Sequence, residues 1–364
     1  MPPAERPERS DSIREGDRLL TICNSCRYCE GFCAVFPAVE RRLDFSEPDL
    51  HYLANLCHNC AECFYACQYA PPHEFAVNVP QVLAEIRLDS YRKYSGMIFG
   101  AGVTIALAAA LAIIALIFVP HTPGGDFYAA VPHRAMAGGF GALGVLVLVL
   151  WGIGLARFWK HNRPAQSLSA AAFFQVLKDA LQDVLTLSNL ASHGAGCTYP
   201  DERHSRSRRI FHHFTFYGFL LCFASTTVAA IYDNVFGWKA PYAYRSLPVT
   251  LGAIGGAGLI VGPLGLLALK RRRDRRLIDA RQDGMDLALL GLLVASAVTG
   301  FALMALRSTA AMSPLLAIHL AVVAALFVTL PFGKFVHGIY RFAALLRNAL
   351  EKRDSGEHEK RGER

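Results

Sequence analysis

Within its long apolar stretches this 364-residue sequence has almost no carboxylate, lysine or arginine. Asp233 and Asp286 fall at the ends of such stretches, and Lys334 lies near another end. That absence counts against a proton- or ion-coupled transporter, which places ionisable groups mid-membrane. No phosphate-binding loop, Ser–His–Asp set or paired carboxylates emerge, so the chain carries no signature of hydrolytic or phosphoryl-transfer chemistry. The glycines of "GAIGGAGLIVGPLG" imitate a dinucleotide fingerprint, yet no strand precedes them and no acidic residue follows. Close helix packing is the better reading there. The opening "MPPAERPERSDSIREGDR" has no apolar core of the kind a secretory leader needs. The expectation is that the cysteines following it stay in the reducing cytosol, where disulfides are rare.

What is present is apolar: 53% of residues are hydrophobic. Residues 1–95 read as a polar, cysteine-rich module. Six runs follow, at 96–119, 134–158, 212–232, 247–269, 286–306 and 315–338, each long enough for a spanning helix of ~17–25 residues. Lys and Arg number eight in 157–211 and seven in 270–285, but one, two and one in 120–134, 233–246 and 307–314. By the positive-inside rule both basic loops, the N-terminal module and the C-terminus face the cytoplasm. The net charge of +8 therefore follows membrane topology, and nucleic acid is excluded as a partner. The fold expected is mainly α: a helical, loop-rich ferredoxin-like module (1–95), a six-helix transmembrane bundle (96–338) with a cytoplasmic loop at 159–211, and a C-terminal helix and tail (339–364).

Four cysteines occur in "CNSCRYCEGFC" and four again in "CHNCAECFYAC". Both runs follow C-x2-C-x2-C-x3-C-x3-P, ending at Pro37 and Pro71, so the segment is duplicated. In two-cluster ferredoxins the fourth cysteine of each run ligates the other cluster. That rule assigns Cys23, Cys26, Cys29 and Cys67 to one [4Fe-4S] cluster and Cys57, Cys60, Cys63 and Cys33 to the second. The proline stands four residues after the last cysteine, where ferredoxins have it directly after. Structural zinc usually takes two C-x2-C pairs separated by a longer loop, which is not the pattern here. His58 and His73 read as loop residues. Cys197 and Cys222 are unpaired by pattern, Cys222 as a packing residue within a span.

Histidine is the ionisable residue of the spans. His319 and His337 stand eighteen residues apart in the last expected span, five turns and ~27 Å along one face. His212 and His213 open the third span level with His337, and His133 opens the second level with His319. These levels allow bis-histidine haem b at each surface, with His213 or His212 and His337 inside, and His133 and His319 outside. Interfacial anchoring is the alternative for His133, His161 and His204. Residues 170–190 read as an amphipathic helix that lies on the membrane, covers the module or simply packs. "SHGAGCTYPDERHSRSRR" reads as a surface loop, and the tail from Asp354 as disordered.

Three blocks, "CNSCRYCEGFCAVFPA", "LCHNCAECFYACQYAPPHEFAVN" and "RRIFHHFTFYGFLLCFAST", resemble the citrate/tricarballylate utilisation protein B family, with similarity from about residue 18 to about residue 345. The resemblance implies a bacterial inner-membrane protein with two [4Fe-4S] clusters and b-type haem. It implies a cytosolic FAD-dependent dehydrogenase acting on tricarballylate as electron donor and quinone as acceptor, with no organic-substrate site on this chain. A related arrangement serves a flavoprotein of cobalamin synthesis, so a different flavoprotein is the alternative partner. A zinc-thiolate membrane sensor or assembly protein is the alternative from another class.

Overall fold

The structure, a computed structural model, describes residues 10–96, 98–120, 122, 124–162, 170–190 and 197–354. Among these it is helical throughout, with one isolated bridge between Cys197 and Ser205 and no strand. The module comprises α1 (Asp11–Cys26), α2 (Val35–Glu40), α3 (Glu47–Leu56), α4 (Glu62–Tyr65) and α5 (Val79–Ser95). Helix starts are written locally. Ser46 caps α3 by accepting from the Asp49 N–H, and Asn78 caps α5 by accepting from the Gln81 N–H, each with a proline in the first turn. Helix α1 buries Ile13, Gly16, Leu19 and Leu20, a stripe at helical spacing. A side chain at Gly16 would stand 2.6 Å from Ile86, so α1 and α5 approach closely because that residue is glycine.

Beyond the module lie α6 (Ala101–Phe118), α7 (Phe127–Ala130), α8 (His133–Asn162), α9 (Ala170–Thr186), α10 (Ser207–Asn234), α11 (Leu247–Arg272), α12 (Asp283–Leu306), α13 (Met312–Thr329) and α14 (Val336–Asp354). Six of them, α6, α8 and α10 to α13, are long and apolar enough to cross a membrane. Their outward faces carry Ile117, Phe118 and Leu148, which would be anomalous in water and are ordinary against lipid. Helices α10 and α11 pack most tightly. A Cβ on Gly255 would fall 2.8 Å from the Gly218 carbonyl, and one on Gly262 2.5 Å from the Thr215 nitrogen. The glycine-rich run is thus a packing seam.

The expected last span, 315–338, is corrected. Helix α13 stops at Thr329, and residues 330–335, "LPFGKF", turn the chain before α14 begins at Val336. Pro331 lacks the amide that would continue the ladder, and Gly333 packs against the Thr329 carbonyl. His319 and His337 therefore belong to different helices and do not share a face. Helix α14 leaves the bundle and lies against the module, placing Ala344 and Leu345 in the same apolar core as Leu20, Leu50, Leu53 and Ile86.

The amphipathic helix expected at 170–190 is α9. It buries Val176 against Ala349 and Leu350 of α14, and Ala180 in the module core. Phe174, Leu181 and Leu185 remain outward. The start of the glycine-rich loop (192–196) and the tail beyond Asp354 lie outside the described residues.

Candidate metal centres

The first cysteine run begins inside a helix. Cys23 and Cys26 occupy the last turn of α1, Arg27 turns the chain in the left-handed region (φ 56°), and its N–H returns to the Cys23 carbonyl. Cys29 and Cys33 follow on tight turns leading into α2. In the second run Cys57 caps α3, Asn59 (φ 51°) and Ala61 (φ 70°) reverse the chain, and α4 carries Cys63 ahead of Cys67. A left-handed non-glycine residue costs about 1–2 kcal/mol. Three of them within two short loops mark backbone held for a purpose other than stability.

The thiols lie in two adjoining groups, with Cys29 and Cys63 also near each other between them. Cys23 is flanked by Cys29, Cys67 and Cys26. Cys33 is flanked by Cys60 and Cys57, and Cys63 by those two and Cys33. Burial first, then the neighbouring thiols, push Cys23 and Cys29 up to about 12. The same causes hold Cys33 and Cys63 well above the usual thiol range. Four buried thiolates ionise together only against a compensating cationic centre, so the donor chemistry fits metal clusters. Cys23, Cys26, Cys29, Cys63 and Cys67 line a cavity of about 280 Å³, walled by Phe36, Tyr69, Val77 and Val79. Among the described residues no three His, Cys, Asp or Glu side chains close on a single-ion point.

The second cysteine loop is pinned to the bundle. The Arg208 guanidinium donates to the Asn59 carbonyl at 2.7 Å, and Arg341 donates to the carbonyls of Cys57 at 2.7 Å and Asn55 at 3.2 Å. The Asn59 N–H points at the Cys57 sulfur, 3.3 Å away. His58, read as a loop residue, is buried here with Nδ1 on the Leu56 carbonyl. Burial and then the charges of Arg341, Arg208 and Arg87 hold it neutral, well below the usual histidine range.

Each of these arginines stands one turn from a histidine: Arg208 before His212 on α10, and Arg341 after His337 on α14. The rings of His212 and His337 meet edge-on, with centroids 6.3 Å apart and planes at 72°. Two imidazoles bound through nitrogen to one metal at ~2.0–2.1 Å each place their centroids about 6 Å apart. His337 Nδ1 donates to the Lys334 carbonyl at 2.6 Å, the anchoring bond a ligating imidazole makes through its other nitrogen. His212 Nδ1 and Trp151 Nε1 are buried with no hydrogen-bond partner among the described residues. Trp151 stacks on Phe335, which also contacts Phe219. The pair is thus spaced as two imidazoles on one metal would be.

The other histidines go elsewhere. His213 lies about 100° round the helix from His212 and reaches the Thr186 carbonyl of α9 at 3.2 Å. His133 stands 3.5 Å from Asp233 and beside Tyr128, while His319 lines a cavity at the end of the bundle away from the module. Among the described residues, no ring contact is found between His133 and His319 like that of the inner pair.

Sequence reasoning missed Arg208, Arg341 and Cys197. The arginines left a signal, the mirrored spacings R-x3-H on α10 and H-x3-R on α14, which put each on its histidine's face. Cys197 left none. It is buried within hydrogen-bonding contact of Cys60, brought there by a fold no spacing reveals.

The family model described as citrate utilization protein B matches residues 90–358, and that described as its Fer4-like domain matches residues 16–93. A curated citrate utilization protein B of Escherichia coli is 49% identical over 355 residues, covering 93% of this chain and 92% of the relative. No solved structure matches. With both halves of the chain matched, the protein belongs to the citrate utilization protein B family.

Proposed function

We propose that this chain is a membrane electron-transfer protein that reoxidises the reduced FAD of a dehydrogenase of the tricarballylate/citrate-utilisation type and delivers the electrons to the quinone pool. In this reading Cys23, Cys26, Cys29 and Cys67 hold one [4Fe-4S] cluster, Cys57, Cys60, Cys63 and Cys33 hold the second, and His212 and His337 hold haem b. These groups, when bound, supply one-electron carriage, which side chains lack. The rest falls to the protein. The apolar wall of Phe36, Val77 and Val79 screens the first cysteine cavity from water, Arg208 and Arg341 fix the second cysteine loop against the helices bearing the histidines, and Lys334 orients His337. The module, α9, α14 and the basic loops face the cytoplasm of a bacterial inner membrane, where a soluble dehydrogenase reaches the first cysteine cavity.

The observation that carries the reading is this juxtaposition of eight thiols in two adjoining groups, one tied by arginine to the turns that present two neighbouring imidazoles. An anaerobic optical spectrum of detergent-purified protein before and after dithionite, with iron, sulfide, zinc and haem assays, tests it. The expected result is a broad absorbance that bleaches, sharp haem bands that grow in, and about eight sulfides per chain. A colourless protein rich in zinc would overturn it.

A further inference from the structure

The half of the bundle away from the module contains a cavity of about 420 Å³ between α10, α11, α12 and α13. That is within the range of small-molecule sites, ~300–1,000 Å³. Its walls are apolar, with Phe219, Phe301, Met304, Leu316 and Val323 among them, and no carboxylate lines it. Gly252, Gly256 and Gly300 are in its lining, where a Cβ would press on Ser225, Phe301 and His319 respectively. Phe223 lines the cavity while 57% exposed, so one wall reaches the lipid-facing surface.

Few polar side chains line this space, and most are spent. Ser225 donates to the Pro248 carbonyl at 2.6 Å and Thr226 to the Cys222 carbonyl at 3.1 Å. Tyr242 donates to the carbonyls of Ala229 and Trp238, and Arg307 donates to the Tyr242 carbonyl at 2.6 Å while lying over the Tyr244 ring. Two groups keep capacity. The Ser296 hydroxyl is buried with no partner among the described residues. His319 is held by Thr299, 2.9 Å from its Nδ1. The Thr299 hydroxyl has one proton, which it directs to the carbonyl of Ala295 at 2.7 Å or of Ser296 at 3.2 Å. With that proton on the Ala295 carbonyl, the Thr299 oxygen accepts from the His319 Nδ1–H, and the Ser296 carbonyl is a further backbone partner of the ring. In that tautomer Nε2 is the acceptor of the ring.

A flat apolar ligand with one oxygen to receive a proton-donating hydroxyl and one to give a hydrogen bond to an imidazole matches this set. We infer that the cavity is a quinone headgroup site, with Ser296 donating to a quinone carbonyl and the His319 Nε2 accepting from the hydroxyl of the quinol. The inference rests on the electron-transfer reading above. Phe219 belongs both to the cavity wall and to the aromatic group beside the inner histidine pair, seven residues and ~11 Å along α10 from His212. Reduction converts the two C=O groups of the quinone to C–O–H. The two electrons are those lost by the reduced flavin of the partner dehydrogenase, and the two protons come from water.

The test uses full-length protein in detergent, reduced with stoichiometric dithionite and mixed anaerobically with decylubiquinone while the optical spectrum is followed. Wild type is expected to reoxidise, whereas Ser296→Ala and His319→Gln each slow by roughly tenfold, the worth of one buried hydrogen bond. Ala253→Phe, which fills the cavity without touching a polar group, should slow it as much. Iron, sulfide and haem per chain should match wild type in all three. Wild-type rates in the variants would overturn the site and leave the relay standing. Loss of haem from His319→Gln alone would make His319 an axial ligand and overturn the assignment. A wild type that holds clusters and haem yet ignores decylubiquinone would remove quinone from both readings, and one lacking those groups would remove the relay itself.

Discussion

At the scale of single residues, the decision that matters is which of two adjacent histidines faces inward. His212 and His213 are equivalent in sequence, and only the position of His337 separates them. We expect His212→Leu to lose haem, measured by pyridine haemochrome per chain, and His213→Leu to keep it. Equal loss in both would contradict the pairing. The two cysteine runs stand out in the sequence because their spacing is local: three cysteines at intervals of three share one loop whatever the rest of the chain does. The histidine pairing does not, because it depends on where α13 ends. Extending one helix through Pro331 and Gly333 put His337 in phase with His319, and the break removes that phase relation. Tertiary contact alone put Cys197 beside Cys60.

At the scale of elements, α14 is held to the module by a partly buried ionic group. Asp49 accepts from Arg42 at 3.1 Å and from Arg347 at 2.8 Å, Glu351 pairs with both arginines, and both guanidinium groups lie over the Tyr52 ring. Burial works to raise the Asp49 carboxyl, but the Ser46 hydrogen bond and the two arginines outweigh it and hold it below the usual carboxylate range. A folded value below the unfolded one, ~3.9, means that the carboxylate stabilises at neutral pH and loses this contribution as pH falls below about 4. Asp49→Asn should therefore lower stability by about 1.5–3 kcal/mol at pH 7. In thermal unfolding followed by tyrosine fluorescence, the gap from wild type should stay constant between pH 7 and 5 and narrow below about 4. The α10–α11 seam gives a second prediction. Gly262→Leu has no room beside Thr215, so α10 must shift and carry His212 away from His337, with haem content falling though neither histidine is changed.

At the scale of the whole molecule, the class and order of parts could be read from the chain: six apolar runs, basic loops on alternate connections and a duplicated cysteine segment ahead of them. The module's attachment could not. The residues that fasten it, Arg208, Arg341 and the face of α14, belong to stretches that look like topology signals or a polar tail. The topology itself is testable with alkaline phosphatase fusions, active when joined after Lys239 and inactive after Arg275 if the connections lie on opposite sides as loop charge dictates.

The return of α14 also sets a schedule. The module's apolar core is complete only when Ala344 and Leu345 join residues laid down before Ser95. At a synthesis rate of ~5–20 residues per second, the ribosome needs roughly 12–50 s to cover that distance. During that interval the cysteine loops stand without their final support, while six helices are threaded into the membrane. Cluster delivery thus becomes a matter of timing in the cell: the stretch that seals the module leaves the ribosome only after all six apolar helices, so a chain cut before α14 would display its thiols without enclosing them.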